Sequence, residues 1–110
     1  MIREANLDDS YVINELSHHL EYEPVSNETA FGRLKTVLES GTEKIWVLDR
    51  DHITRGWIHV FVSHRVASPS FVEIGGLVVS PQDRRNGLGR ALVDYAKQWA
   101  NENDWHLPRG

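Results

Sequence analysis

Cysteine is absent from the 110 residues, which excludes a disulfide scaffold and a thiolate metal site. No run approaches the roughly 20 apolar residues of a membrane span, and Met1-Ile2-Arg3-Glu4-Ala5 lacks the apolar core of a signal peptide. A cytoplasmic protein without a membrane partner is expected. Repeats and low-complexity linkers are missing too. The net charge of -4 and the lack of a basic stripe argue against a nucleic-acid partner and are compatible with a cationic substrate. None of the six histidines is spaced H-x-x-x-H or H-x-H from another, so no metal is expected.

What is present is one globular domain spanning residues 1 to 110, with 40% hydrophobic and 25% charged residues. A chain of this size buries roughly 60 to 70% of its unfolded surface, enough for one core. Strand and helix patterns alternate, so the fold class is α/β or α+β. Ile2 to Ala5 suit a first strand. Asn6 or Asp8 can then cap a helix with Leu7, Tyr11, Leu16 and Leu20 on one side. After Pro24, a second helix begins near Ser26, aligns Ala30, Phe31, Leu34, Val37 and Leu38, and stops at Ser40-Gly41, a C-terminal glycine signal.

Lys44 to Leu48, the polar turn Asp49 to His52, and the β-rich run Ile53 to Val62 read as a hairpin. Ile58, Val60 and Val62 share one face, with Trp57, His59 and Phe61 on the other, so the sheet is covered on both sides. Another strand runs from Ser70 to Val79 and ends at Ser80-Pro81. A last helix places Leu88, Ala91, Leu92, Tyr95, Ala96 and Trp99 at intervals of three and four, which assigns Tyr95 to the core. Trp46, Trp57, Trp99 and Trp105 are read as packing residues.

The chemistry is expected at the last strand-to-helix junction, where Arg84 to Gly89 spells R-x-x-G-x-G. The first amides of a helix have no intrahelical partner and sit at the positive end of its dipole, so they can bind phosphate oxygens. Gly87 and Gly89 clear the approach, and Arg84, Arg85 and Arg90 concentrate positive charge there. A Walker loop is excluded because Gly-Lys-Ser/Thr is missing, and a Rossmann fingerprint from Gly87 because Leu92 stands where Gly or Ala is needed. The plain alternative is a tight Asn86-Gly87 turn before an ordinary helix.

With Gly76-Leu77-Val78-Val79-Ser80-Pro81 leading into that loop, the sequence resembles the GCN5-related N-acetyltransferases, across roughly residues 1 to 104. The resemblance implies a mostly antiparallel sheet with helices on both faces, in the order β-α-α-β-β-β-α, with an acetyl-CoA motif over residues 70–100. It implies that the amides and side chains of Arg84, Arg85, Asn86, Gly87, Leu88, Gly89 and Arg90 hold the pyrophosphate of acetyl-CoA. The backbone at Val78 and Val79 would pair with the pantetheine arm, and the Leu77 amide would polarise the thioester carbonyl. Gly75-Gly76 is locally unfavourable in a strand and marks a bulge or a simple bend; the bulge is the family's device for admitting the coenzyme.

An ammonium has no lone pair, so amine acetylation needs a base. By the resemblance that base is Glu73, with a solvent-facing strand residue as the alternative. His18 and His19 point to different helix faces, and His59 and His64 could reach an acceptor pocket but read more simply as surface or packing residues. Asp49, Asp51 and Glu73 would suit a cationic acceptor such as a polyamine, aminoglycoside or lysine. Members of the family usually continue after this helix through a further strand, a helix with an acidic tyrosine, and closing strands. Here the chain reaches Trp105-His106-Leu107 and Pro108-Arg109-Gly110, so the edge at residues 70 to 79 is expected to be largely uncovered and to favour a homodimer. The expected function is N-acetyl transfer from acetyl-CoA to a primary amine of a small molecule or peptide. The alternative is a noncatalytic acyl-CoA-binding or regulatory module.

Overall fold

The turn at Asp51-His52 sets the register of the sheet. Both residues adopt left-handed φ in the computed structural model, 54° and 63°. That pairing suits a two-residue turn whose twist matches its flanking strands. It joins β2 (Glu43–Arg50) to β3 (Ile53–Ser63). β1 (Ile2–Glu4) pairs with β2 and β4 (Phe71–Val79) with β3, giving a four-stranded antiparallel sheet in the order β1-β2-β3-β4. The structure describes residues 1–18 and 25–105.

Among the described residues, three helices cover it: α1 (Ser10–Ser17), α2 (Asn27–Glu39) and α3 (Leu88–Glu102). α3 packs on the face carrying Trp46, Leu48, Ile58, Val60, Val62 and Val72, into which it sends Leu92, Ala96 and Ala100. α1 and α2 cover the other face, where Leu16 and Leu34 meet Ile45, Val47, Trp57 and Val78. The expected α+β order, the alternation along β3 and the helices on both faces are therefore present.

Several local expectations differ. The first helix begins at Ser10, because Asn6 and Asp9 form a reciprocal capping box around a 3-10 turn at Leu7–Asp9. That turn changes the phase, so Val12, Ile13 and Leu16 face the sheet while Tyr11 is 62% exposed. α2 begins beside Ser26 as expected, and the Ser26 hydroxyl accepts from the Thr29 N–H; Leu34 and Val37 turn inward, and Phe31 and Leu38 lie at the exposed rim. α2 ends through an extended Ser40, and Gly41 does not take the left-handed conformation of a glycine cap. Tyr95 is 39% exposed, although its ring meets Trp46 edge-on at 5.4 Å. The readings that involve His19, Leu20, Pro24, His106 and Leu107 fall outside the described residues.

Candidate active site

β4 and the loop after it build the site. Ile58 lies opposite Leu77 and His59 opposite Gly76, but Val60 lies opposite Ile74, which leaves Gly75 as the extra residue of a β-bulge. A Cβ on Gly76 would stand 2.8 Å from the Trp57 ring, and one on Gly75 would stand 2.7 Å from His59 Nδ1. Both glycines sit against aromatic side chains at close approach, and the register shift shows that the bulge reading of Gly75-Gly76 is the correct one.

Ladder alternation settles which way the backbone of β4 points. Ser80 donates its N–H to the Arg55 carbonyl at 2.7 Å, so two residues earlier Val78 also turns its N–H and C=O toward β3. Leu77 and Val79 then direct theirs to the opposite side, the edge of β4 that no other described strand pairs with. The outward-facing groups thus belong to Leu77 and Val79. Val78, grouped with them on sequence grounds, is committed to β3, and its side chain is buried beside Trp57.

Beyond Val79 the chain makes a 3-10 turn at Pro81–Asp83, then passes through Arg84 in an extended conformation and Arg85 at a left-handed φ of 72°. Gly87, with φ 77°, is the N-cap of α3. The first bond into the helix is Ala91 N–H to the Gly87 carbonyl at 3.0 Å, so the amides of Leu88, Gly89 and Arg90 precede any intrahelical partner. Apart from its own chain neighbours, no described residue comes within 4 Å of where a Cβ on Gly87 would stand, and on Gly89 the nearest atom is Val79 Cγ2 at 3.6 Å. Arg84, Arg85, Asn86 and Arg90 are all exposed around this opening. Open amide donors at the positive end of a 15-residue helix, with three exposed arginines in the same segment, fit a pyrophosphate.

Nothing in the residue pattern shows how the loop is anchored. Between Leu48 and Asp49 the β2–β3 register slips, leaving Arg55 as the bulged residue of β3. Its carbonyl holds Ser80, and its guanidinium reaches the buried Asp83 at 3.5 Å. Such an anchor is legible only once the register is known.

On the α1/α2 face a cavity of about 410 Å³ opens between the helices and the sheet. Ile13, Leu34, Val37 and Trp57 give it apolar walls, His18, Arg33 and His59 give it polar ones, and Gly75 and Gly76 form part of its lining at β4. The bulge therefore joins the cavity on one face to the open edge of β4.

The expected carboxylates do not gather there. Glu73 lies opposite Phe61, outside the cavity lining, and its carboxylate accepts a hydrogen bond from Arg65 at 3.1 Å. Asp51 sits in the hairpin turn, at the far end of β3 from Glu73. Asp49 is occupied by Arg3 and by the Thr54 hydroxyl, each at 2.8 Å or less. Burial pushes the Asp49 carboxyl up, but the Thr54 and Arg3 hydrogen bonds outweigh it and hold the group below its ordinary value. His64 bonds Ser70 at 2.7 Å and faces Trp105, away from the cavity. His59, by contrast, lines the cavity, with Nε2 2.8 Å from Glu43 Oε1. Sixteen residues separate that pair in the chain, so only the hairpin register could have revealed it. Among the described residues, no group of three or more His, Asp or Glu could hold a metal ion, and no helix is long and apolar enough to cross a membrane.

A bulged edge strand that runs into a glycine loop at a helix N-terminus, beside a cavity on the opposite sheet face, is the architecture of an acetyltransferase. The chain belongs to the GNAT acetyltransferase family, whose model matches residues 7–107. Among solved structures it is similar to the aminoglycoside 6'-N-acetyltransferase AAC(6')-IG of Acinetobacter haemolyticus, at 18% identity and a TM-score of 0.84, over 97% of this chain and 76% of that one. A GNAT family acetyltransferase of Staphylococcus aureus matches at 18% identity and a TM-score of 0.84, over 100% of this chain and 86% of that one. The aminoglycoside N-acetyltransferase AAC(6')-Iy, solved with CoA, matches at 15% identity and a TM-score of 0.84, over 100% of this chain and 76% of that one. A comparison with curated proteins finds no match.

Proposed function

We propose that this chain transfers an acetyl group from acetyl-CoA to a primary amine on a small molecule or peptide. The observation that carries this reading is the continuity of three features along β4: the open amide donors after Gly87, the outward groups of Leu77 and Val79, and the bulge that opens onto the cavity. The pyrophosphate lies on the amides of Leu88, Gly89 and Arg90, with Arg84, Arg85 and Arg90 neutralising its charge and Asn86 at the rim. The pantetheine arm runs along the edge of β4 and pairs with Val79. The Leu77 N–H donates to the thioester carbonyl oxygen, where negative charge develops as the amine attacks. The acceptor enters the cavity, whose mainly apolar walls suit an amine carried on an apolar body. In the absence of coenzyme the same edge supports a homodimer, and the reading places the protein in the cytoplasm.

Two measurements test it together. Calorimetric titration with acetyl-CoA is expected to give saturable binding that Gly87→Trp abolishes, while circular dichroism shows the variant still folded. Thiol release is expected when a primary amine is added. Saturable binding with no thiol release from any amine would instead identify a binding module, and no binding by a folded chain would overturn the reading.

A further inference from the structure

We propose that His59, held by Glu43, is the base that takes the proton from the acceptor amine. This rests on the acetyl-transfer reading and gives His59 the role that the resemblance implies for Glu73. His59 is on β3, its side chain is 21% exposed, and its imidazole lies over the bulge, so close to Gly75 that a Cβ there would meet Nδ1 at 2.7 Å. The other ring nitrogen is 2.8 Å from the Glu43 carboxylate of β2, itself 26% exposed. A carboxylate only accepts hydrogen bonds, so Nε2 carries the proton in that contact. In the neutral ring, Nδ1 then keeps its lone pair, on the side where the cavity meets the bulge. No hydrogen bond to Nδ1 is made among the described residues. An imidazole oriented by a carboxylate and bare at its other nitrogen is a general base whose tautomer is already set.

The other charged or titratable groups facing this point are few. His18 from the C-terminal end of α1 and Arg33 from α2 line the same cavity. On β4, Glu73 is two residues from Gly75 and is engaged by Arg65, and the remaining neighbours of His59 on its own strand face are Trp57 and Phe61. Among the described lining residues there is no carboxylate, so His59 is the cavity's base nearest to the bulge.

The step balances without any further reagent. The amine nitrogen gives its lone pair to the thioester carbonyl carbon, forming the C–N bond. The C–S bond breaks with its electron pair going to sulfur. The acceptor nitrogen enters as the ammonium and loses two protons: the first passes to His59 Nδ1 and frees the lone pair that attacks, the second is taken up, through water, by the departing thiolate, and His59 returns its proton to solvent.

The test uses the full chain, acetyl-CoA and a panel of spermidine, an aminoglycoside, a lysine peptide and phenethylamine, with thiol release followed across pH. His59→Gln is expected to lower kcat by about 10²-fold or more, to leave acetyl-CoA affinity within twofold, and to remove the acidic limb of the pH profile. Glu43→Gln, acting only through the orientation of His59, is expected to lose less and to keep the limb. Glu73→Gln is expected to stay within twofold of the parent. Independently of turnover, nitrogen NMR of the imidazole is expected to show the Nε2–H tautomer when the ring is neutral. An Nδ1–H tautomer, or an unchanged kcat and pH profile in His59→Gln, would overturn the assignment, as would the full loss falling on Glu73→Gln. Absence of thiol release by the parent protein with every amine would instead overturn the acetyl-transfer reading, and this assignment with it.

Discussion

Arg3 shows how a single residue ties the first strand to its neighbour β2 and to the turn before α1. Its guanidinium makes two bonds to the Asp9 carboxylate, at 2.8 and 2.9 Å, and a third to Asp49 at 2.8 Å. Burial pushes the Asp9 carboxyl up, but the Arg3 hydrogen bonds and the Asn6 amide outweigh it and hold the group below its ordinary value. Arg3 itself is raised, mainly by its bonds to Asp9 and then Asp49. A carboxyl lowered in the folded state contributes stability that is present above the unfolded pKa and fades as pH falls through the folded one. The raised Arg3 would withdraw its contribution only in strong alkali. Asp9→Asn is therefore expected to cost about 1–3 kcal/mol at pH 7, a modest figure because Arg3 remains partly solvated. That corresponds to a fall in Tm of roughly 4–8 °C per kcal/mol, with the gap to the parent narrowing towards pH 3. Equal gaps in thermal melts at pH 7 and pH 3 would contradict it. Nothing in the residue types marks Asp49 as a partner of Arg3, since the pairing needs β1 laid against β2. That is why Asp49 reads from sequence as an acceptor-site acid and proves structural.

At the scale of elements, β3 and β4 act as a unit, and their glycines separate folding from chemistry. A Cβ on Gly56 would meet the Val78 carbonyl oxygen at 2.8 Å, a backbone atom that cannot turn aside. Gly56→Ala is expected to destabilise by about 1–3 kcal/mol, read as a lower midpoint in urea unfolding. A Cβ on Gly75 would instead press on the His59 ring, a side chain that can rotate away from Glu43. Gly75→Ala is thus expected to keep most of its stability and lose turnover, and the reverse ordering of the two variants would refute this division. The strands, the last helix and the glycine loop were legible because apolar spacing and turn residues are local signals. The Gly75-Gly76 bulge was legible because paired glycines are costly inside a strand. Gly56, Arg55 and the His59–Glu43 contact were not, because each depends on which residue lies across the ladder. The start of α1 differs from the periodic pattern for another reason: the Asn6–Asp9 box spends three residues on a 3-10 turn and rotates the apolar stripe.

At the largest scale, the decisive feature is that the sheet of the described residues is covered on both faces while none of their strands pairs with the outer edge of β4. α1 and α2 close one face and α3 the other, so the outward groups of Leu77 and Val79 are what the described fold leaves for a further pairing. A second copy could add its own β4 there across a twofold axis, and the pantetheine arm could pair with the same groups. Both cannot do so at once. Binding linkage then requires acetyl-CoA to favour the monomer. Sedimentation velocity is expected to show a dimer at high protein concentration without ligand, and a shift towards monomer when acetyl-CoA is added. Val79→Pro deletes the outward N–H while sparing the bonds to β3, so it is expected to weaken dimerisation and coenzyme binding together. A dimer that persists in saturating acetyl-CoA would place the interface on another surface, and a monomer at every concentration would remove it.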